Sequence, residues 1–218
     1  MTVLAFDVNE TLLDLRALDA PFAAAFGDAA LRPQWFALML QVAFVGGLTG
    51  SYVDFTTAQR TALAMLATRQ KVTISAQQAD AIVNGMRTLP PHPEVRDALD
   101  RLRARFRLVA LTNSPKDVAE AQMRNSGLRD LLEAVHSADE VRRLKPAPEP
   151  YRMVAERARV PIGDVRLVAA HGWDIAGALA AGCRAAFVAR PGAILYPHGP
   201  QPDVAAPDLA GVADALLR

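Results

Sequence analysis

The fold is decided by the stretch VLAFDVNETL, residues 3–12. Its first four residues form a short apolar run that stops at an acidic residue. Such a run predicts a strand buried on both faces of a parallel sheet, with Asp7 at its carboxyl end. Ligands of open parallel sheets bind outside the carboxyl ends of the strands. Asp7 is therefore a candidate functional carboxylate.

The same pattern, an apolar run followed by a polar loop, recurs at Leu108–Leu111, Val165–Ala170 and Ala185–Val188. Segments with apolar residues at helical spacing lie between or after these runs, and they predict helices at 92–105, 148–159, 175–181 and 209–217. Alternating strands and helices predict a Rossmann-like α/β fold, in which a parallel sheet has helices on both faces. The polar loops at the strand ends then converge on one crevice.

Residues 15–89 break this alternation. They carry no strand pattern, and helical patterns follow one another at 32–48, 54–68 and 75–87. The proline-rich segment PPHP, residues 90–93, marks the end of the region. We therefore predict an α/β core made of residues 1–14 and 90–218, and an inserted helical cap, residues 15–89, that covers the crevice.

Composition excludes several classes of function. The 218 residues are 51% hydrophobic and 22% charged, which is typical of a globular chain with a sizeable core. A net charge of +1 gives no electrostatic reason to expect nucleic acid or a membrane surface as partner. Cys183 is the single cysteine, so neither an internal disulfide nor a cysteine-based metal cluster can form. Neither a signal peptide nor an apolar stretch of bilayer length is apparent, and we expect a cytoplasmic location.

Four segments resemble, in order, the four signatures of the haloacid dehalogenase superfamily. They are FDVNET at 6–11, LTN at 111–113, KPAPEPY at 145–151 and the acid Asp174. In the first signature a threonine follows the strand-end aspartate by four residues, so that a tight loop turns a hydroxyl and backbone amides toward the carboxylate and keeps it ionised. The resemblance implies that Asp7 is a nucleophile and that Lys145 neutralises it.

At two positions the sequence departs from the signatures of the superfamily's phosphatases, and these departures help to decide which branch it resembles. Its phosphatases place a second aspartate two residues after the nucleophile as general acid, and that position is Asn9 here, whose amide cannot donate and recover a proton. They also usually hold Mg²⁺ with paired acids in the fourth signature, whereas Asp174 stands alone. Both departures match the metal-independent 2-haloacid dehalogenases, so we expect neither a metal nor an organic cofactor.

The resemblance to this family continues in GWDIAGA at 172–178, SYVDF at 51–55, RPG at 190–192 and PD at 202–203. The family implies a small 2-haloalkanoic acid as substrate and a 2-hydroxy acid as product. Asp7 would displace the halide and form an aspartyl ester, which water activated by Asp174, with Lys145 nearby, would hydrolyse. Thr11, Thr112, Lys145 and Tyr151 would orient the nucleophile and the substrate carboxylate, while Asn113 and Phe55 would face the halide. The expected substrate- or halide-binding residues are Val8, Asn113, Tyr151, Phe55, Phe36, His171 and Trp173.

This sequence also departs from the dehalogenase pattern. The family has an arginine on its first long cap helix, to which a role in removing the halide is ascribed, and this sequence has Phe36 at that position. Residues 33–59 contain no Lys or Arg. Arg32 lies one helical turn before Phe36 and could reach the same space. His171 replaces an asparagine, and Ala169 a usual serine. A histidine at this place can assist hydrolysis or bind the substrate carboxylate, or it can be a loop donor with no catalytic role.

Two alternatives to dehalogenation stay open at this point. One is a Mg²⁺-dependent phosphatase of the superfamily, against which Asn9 and the lone Asp174 weigh. The other is a non-catalytic or catalytically altered member of the dehalogenase family, for which Phe36 leaves room. The family resemblance also suggests a homodimer formed through the cap helices.

Overall fold

The structure is a computed structural model that describes residues 2–218. These residues contain six strands in one all-parallel sheet, in the order β3-β2-β1-β4-β5-β6. The strands are β1 (Val3–Phe6), β2 (Arg107–Thr112), β3 (Ala134–Ser137), β4 (Val165–Ala169), β5 (Arg184–Val188) and β6 (Val204–Ala206). Helices accompany the sheet, and the predicted α/β fold class is confirmed.

Nine α-helices lie within the described residues. They are α1 (Asp19–Phe26), α2 (Arg32–Thr49), α3 (Phe55–Gln70), α4 (Ala76–Gly85), α5 (Val95–Leu102), α6 (Lys116–Asn125), α7 (Pro148–Ala158), α8 (Gly172–Ala181) and α9 (Leu209–Leu217). Seven of them fall within or close to the helices that the sequence predicts, whereas α1 and α6, together with strands β3 and β6, are additional. None of the helices in residues 2–218 combines the length and hydropathy needed to cross a bilayer.

Side chains alternate along the strands between two apolar cores. In β1, Leu4 and Phe6 belong to one core, and Val3 and Ala5 belong to the other. Residues of α5, α6 and α9 pack into the first core, while residues of α7 and α8 pack into the second. Both faces of the central strands are therefore covered, which explains why these strands are apolar runs rather than alternating patterns.

The segment between β1 and β2 begins with four successive helices, α1 to α4, and residues 15–89 contain no strand. The chain leaves the sheet and returns to it side by side, since Asp14 N–H donates to Pro90 O over 2.8 Å and His92 N–H donates to Leu12 O over 3.0 Å. Large side chains of these helices, among them Trp35 and Met39, belong to the same apolar core as Phe6. The division of the chain into a core and a cap stays a prediction.

Candidate active site

The site lies at the carboxyl ends of the three central strands. Asp7 follows β1, Asn113 follows β2, and the loop after β4 leads into α8 with Asp174 in its first turn. Since β1 is paired with both β2 and β4, their strand-end loops meet at one edge of the sheet. Lys145, three residues before α7, completes the group.

Lys145 is fully buried and binds both candidate carboxylates. Its Nζ lies 2.9 Å from Asp7 Oδ1, 2.6 Å from Asp174 Oδ2 and 2.9 Å from the carbonyl oxygen of Leu111. An ammonium has three N–H groups, so all three are used. Its charge is thus fixed between two carboxylates, which compensates the cost of burying each of them.

Asp7 is a strongly ionised carboxylate. Its Oδ2 accepts the hydroxyl of Thr11 over 2.7 Å and lies 3.1 Å from His171 Nδ1. The Thr11 oxygen itself accepts the N–H of Ala170, which directs the hydroxyl proton toward Asp7. Burial alone would raise the pKa of Asp7, but Lys145, His171 and Thr11 outweigh it and hold the pKa well below its ordinary value. Asp7 is therefore available as an anionic nucleophile at any physiological pH.

Asp174 has the opposite environment although Lys145 binds it too. It is fully buried, and its Oδ1 accepts the hydroxyl of Tyr151 over 2.5 Å. Burial raises the pKa of Asp174, and the negative charge of Asp7 raises it further, against the effect of Lys145. Two carboxylates whose pKa values are pushed apart suit different roles, the lower one as nucleophile and the higher one as proton acceptor.

His171 joins Asp7 to Glu10, a residue that the sequence reasoning missed. While Nδ1 faces Asp7, Nε2 lies 3.0 Å from Glu10 Oε2. Burial would lower the pKa of His171, but its hydrogen bonds to the two carboxylates raise it to about 9. Arg32 forms an ion pair with Glu10 over 3.6 Å; whether it takes the place of the missing cap arginine stays a prediction.

Two aromatic rings stack on the ring of His171. Phe36 stacks on it with a centroid distance of 5.5 Å and Trp173 with 5.3 Å. These three side chains, together with Glu10 and Arg32, line a cleft of about 690 Å³. His171, which lines the cleft, contacts Asp7 over 3.1 Å, so this cleft is the candidate path by which a substrate reaches the nucleophile.

Other predicted residues have more indirect positions. Asn113 Oδ1 accepts the N–H of Lys145 over 2.8 Å and its Nδ2 donates to the Lys145 carbonyl over 3.1 Å, so this side chain positions the lysine main chain. Thr112 Oγ1 accepts the N–H of Ser114 and shapes the loop after β2. Val8 and Phe55 are buried in the apolar core that also contains Phe36. Their contacts with a substrate, and that of Asn113 with a halide, stay predictions.

These residues do not fit a magnesium ion. The Lys145 ammonium lies within 2.9 Å of an oxygen of both Asp7 and Asp174, so a divalent cation bound by these two carboxylates would lie against a fixed positive charge. Asn9 accepts the amide of Gln122 over 2.9 Å and is only 4% exposed, so it offers no acid. Within residues 2–218, no group of three or more His, Cys, Asp or Glu side chains is arranged to hold a metal.

Together, the fold and the site define a class of protein. A parallel α/β sheet presents an ionised aspartate, neutralised by a buried lysine, next to a second carboxylate of raised pKa. This arrangement is that of a hydrolase that uses an aspartate as a covalent nucleophile.

Comparison with known proteins identifies the family. Residues 1–182 match the family model of the haloacid dehalogenase-like hydrolases. The chain is 32% identical to the (S)-2-haloacid dehalogenase of Xanthobacter autotrophicus over 191 residues, which cover 85% of this chain and 74% of that protein. It is 29% identical to haloacetate dehalogenase H-2 of Moraxella sp. strain B over 220 residues, covering 99% and 96% of the two chains. The chain therefore belongs to the haloacid dehalogenase-like hydrolases and, within them, to the 2-haloacid dehalogenase family.

A solved structure supports this assignment over the whole chain. The L-2-haloacid dehalogenase of Xanthobacter autotrophicus, solved with chloropropionic acid covalently bound, superimposes with a TM-score of 0.91. The superposition covers 100% of this chain and 98% of that one, at 26% identity.

Proposed function

We propose that this protein hydrolyses a small 2-haloalkanoic acid to the 2-hydroxy acid through a covalent ester on Asp7. The observation that carries the proposal is the buried ion pair of Lys145 with Asp7 and Asp174, because it combines a permanently ionised nucleophile with a neighbouring base. The haloacid substrates of the two relatives and the covalently bound chloropropionic acid of the structural relative support it.

In the first step the Asp7 carboxylate attacks the carbon that carries the halogen. A C–O bond forms from an Asp7 lone pair while the carbon–halogen bond breaks, and its electrons leave with the halide. A halide needs no proton to depart, so no general acid is required. This fits Asn9, whose side chain is engaged with Gln122 and Ser114.

In the second step water attacks the carbonyl carbon of the ester. Esterification removes the charge of Asp7, and Lys145 keeps Asp174 as its ionised partner, 2.6 Å away. Asp174, whose pKa is raised, accepts a proton from the attacking water and passes it to the alkoxide that leaves, which becomes the hydroxyl of the product. Tyr151 holds Asp174 in place through its hydroxyl.

The helices α1 to α4 complete the proposal as a cap over the cleft, because Phe36 of α2 packs on His171. We further propose turnover without a metal ion, since the Lys145 ammonium already lies between Asp7 and Asp174 and binds an oxygen of each. A cytoplasmic location and a homodimer through the cap helices belong to the same proposal.

The direct test is halide release from a panel of chloro-, bromo- and fluoroacids, measured for the wild type and for Asp7→Asn in the presence and absence of EDTA. We expect halide from the wild type with or without EDTA, and none above background from Asp7→Asn. Equal rates from the two proteins, or release of phosphate from phosphate esters that EDTA abolishes, would contradict the proposal.

A further inference from the structure

His171 contacts an atom that takes part in the proposed reaction. Its Nδ1 is 3.1 Å from Asp7 Oδ2, and its side chain is 12% exposed, on the side that lines the cleft. Phe36 and Trp173 both stack on the ring. A side chain held in this way has little freedom to rotate, so the contact with Asp7 is a fixed feature of the site.

The two hydrogen bonds of His171 determine its protonation state. Each ring nitrogen faces a carboxylate oxygen, Asp7 Oδ2 at one end and Glu10 Oε2 at the other. An ionised carboxylate can only accept hydrogen bonds, so both nitrogens must carry a hydrogen and the ring is an imidazolium. The raised pKa of His171, about 9, agrees with this geometric argument.

The two oxygens of Asp7 differ in their remaining capacity. Oδ2 accepts from Thr11 and from His171, which fills its two in-plane lone pairs. Oδ1 accepts from Lys145, and no other donor reaches it from the described part of the chain. The free lone pair is thus on Oδ1, which is the atom that can bond to the substrate carbon. Oδ2 then remains as the carbonyl oxygen of the ester.

We propose that His171 is a catalytic residue of ester hydrolysis, in which its Nδ1–H and the Thr11 hydroxyl stabilise the oxyanion that develops on Asp7 Oδ2. This inference rests on the proposed function. Water oxygen bonds to the carbonyl carbon, and the π electron pair moves to Oδ2. When the pair returns, the bond between the carbon and Oδ1 breaks, and the alkoxide leaves and takes the proton that Asp174 accepted from the water. The second proton of the water is released, which restores the Asp7 carboxylate. The donors lie at 2.7 and 3.1 Å, close to the 2.7–3.1 Å expected of an oxyanion hole.

Glu10 is a positioning residue in this scheme. Its backbone has a φ of 61°, a left-handed conformation that is uncommon for a residue with a side chain. In this conformation its carboxylate reaches both His171 Nε2 and Arg32. Such an unfavourable conformation is retained at functional sites where the surroundings fix it. Glu10 keeps the imidazolium charged and oriented toward Asp7.

The test separates alkylation of Asp7 from hydrolysis of the ester. We would mix His171→Ala with excess 2-chloropropionate, record chloride release on the time scale of the first turnover, and measure the intact protein by mass spectrometry. Loss of one oxyanion donor slows the affected step about 10²–10³-fold. We therefore expect a burst of about one chloride per site, slow turnover afterwards, and accumulation of the ester on the protein.

Two variants serve as comparisons. His171→Asn keeps a neutral N–H donor, and we expect it to accumulate less ester and to lose less activity than His171→Ala. His198→Ala removes an exposed histidine, and we expect wild-type kinetics without accumulation. Circular dichroism of each variant checks folding, and should His171→Ala not fold, accumulation of ester in His171→Asn relative to the wild type decides.

A pH profile of Glu10→Gln tests the positioning role. The charged groups close to His171 are Asp7 and Glu10 in contact with it, Arg32 and Arg190 at the cleft, and Lys145 near the Trp173 ring. The ester no longer carries the Asp7 charge, so the alkaline decline of hydrolysis in the wild type should lie below pH 9. Removing the Glu10 charge lowers the pKa of His171 further, so we expect this decline to move to lower pH in Glu10→Gln. A residue with only a structural role would lower the rate without moving this decline.

The outcomes distinguish the inference from the proposed function. If the wild type releases halide but the folded His171 variants accumulate no ester, the inference is wrong and the proposed function stands. If the wild type neither releases halide nor forms an ester with any haloacid of the panel, the proposed function is wrong and the inference falls with it.

Discussion

Replacing Lys145 by methionine removes the charge that balances two buried carboxylates. The lysine is fully buried, and its three N–H groups are bonded at 2.6–2.9 Å to Asp7, Asp174 and Leu111 O. Methionine fills a similar volume without donors. Breaking a buried ion pair by removing one partner costs about 3–5 kcal/mol. His171 still balances Asp7, so most of this cost falls on Asp174, which keeps only the Tyr151 hydroxyl.

The loss of stability in Lys145→Met depends on pH, and the direction of that dependence follows from the pKa of Asp174. In Lys145→Met the folded-state pKa of Asp174 lies further above the unfolded value of about 3.9, so the folded protein binds a proton that the unfolded chain has released. The stability of the variant therefore falls as pH rises above about 4. We expect the deficit relative to the wild type to be largest at neutral pH and to shrink toward pH 4.

Urea denaturation at several pH values measures this deficit. Lys71→Met is the matched control, because Lys71 is exposed, and its effect should stay within about 0.5 kcal/mol. The double variant Lys145→Met with Asp174→Asn should recover at least about 1 kcal/mol, since it removes the unbalanced charge. A loss below about 1 kcal/mol in Lys145→Met at pH 7, or a loss that does not change with pH, would refute the electrostatic account of the site.

Three further predictions concern stability. In Gly177→Ala the new Cβ would lie 2.5 Å from Pro146 Cβ and 2.8 Å from the Tyr151 hydroxyl, so we expect the free energy of unfolding to fall by about 1–3 kcal/mol and turnover to slow. The control is Gly163→Ala, whose Cβ meets no atom within 4 Å and which should match the wild type in thermal unfolding. Asn9→Asp loses a buried donor and should cost about 1–3 kcal/mol by urea denaturation; phosphatase activity toward 4-nitrophenyl phosphate in this variant would contradict our interpretation of Asn9. The pKa of His171 rises to about 9 in the folded state, so the protonated histidine should stabilise the fold by about 3 kcal/mol. This stabilisation should be complete below pH 6.5 and be lost as pH rises through 9. The same pH dependence of stability in His171→Asn would show this to be wrong.

The central part of the fold could be predicted because its strands are buried on both faces. Strands β1, β2, β4 and β5 are apolar runs, and each lies close to its predicted bounds. The strands at the edges of the sheet could not be predicted in the same way. Strand β3 includes His136 and Ser137, which interrupt its apolar pattern. Strand β6 is apolar but has only three residues, none of them buried, and so short a run does not predict a strand. Helix α1, with Ala and Phe on several sides, lacks the amphipathic pattern on which helix prediction depends.

The site was predictable where its residues belong to local motifs. Asp7, Thr11, Lys145, Tyr151 and Asp174 each occupy a position in one of the four signatures, and the structure joins them in one hydrogen-bonded network. Glu10 lies within the first signature but was missed. Its contact with a histidine 161 residues later depends on a left-handed backbone conformation, which no sequence pattern indicated. The charge of His171 could not be predicted either, because it depends on that contact.

A single turnover in oxygen-18 water, with enzyme in excess over 2-chloropropionate, tests the covalent role of Asp7 most directly. Water that attacks the ester carbonyl leaves its oxygen on the aspartate, while the oxygen given to the product comes from Asp7. Mass spectrometry should therefore find the heavy oxygen in the peptide that contains Asp7 and ordinary oxygen in the hydroxyl of lactate. Heavy oxygen in the lactate hydroxyl, with none in the peptide, would mean that water attacks the substrate carbon directly and that Asp7 forms no ester.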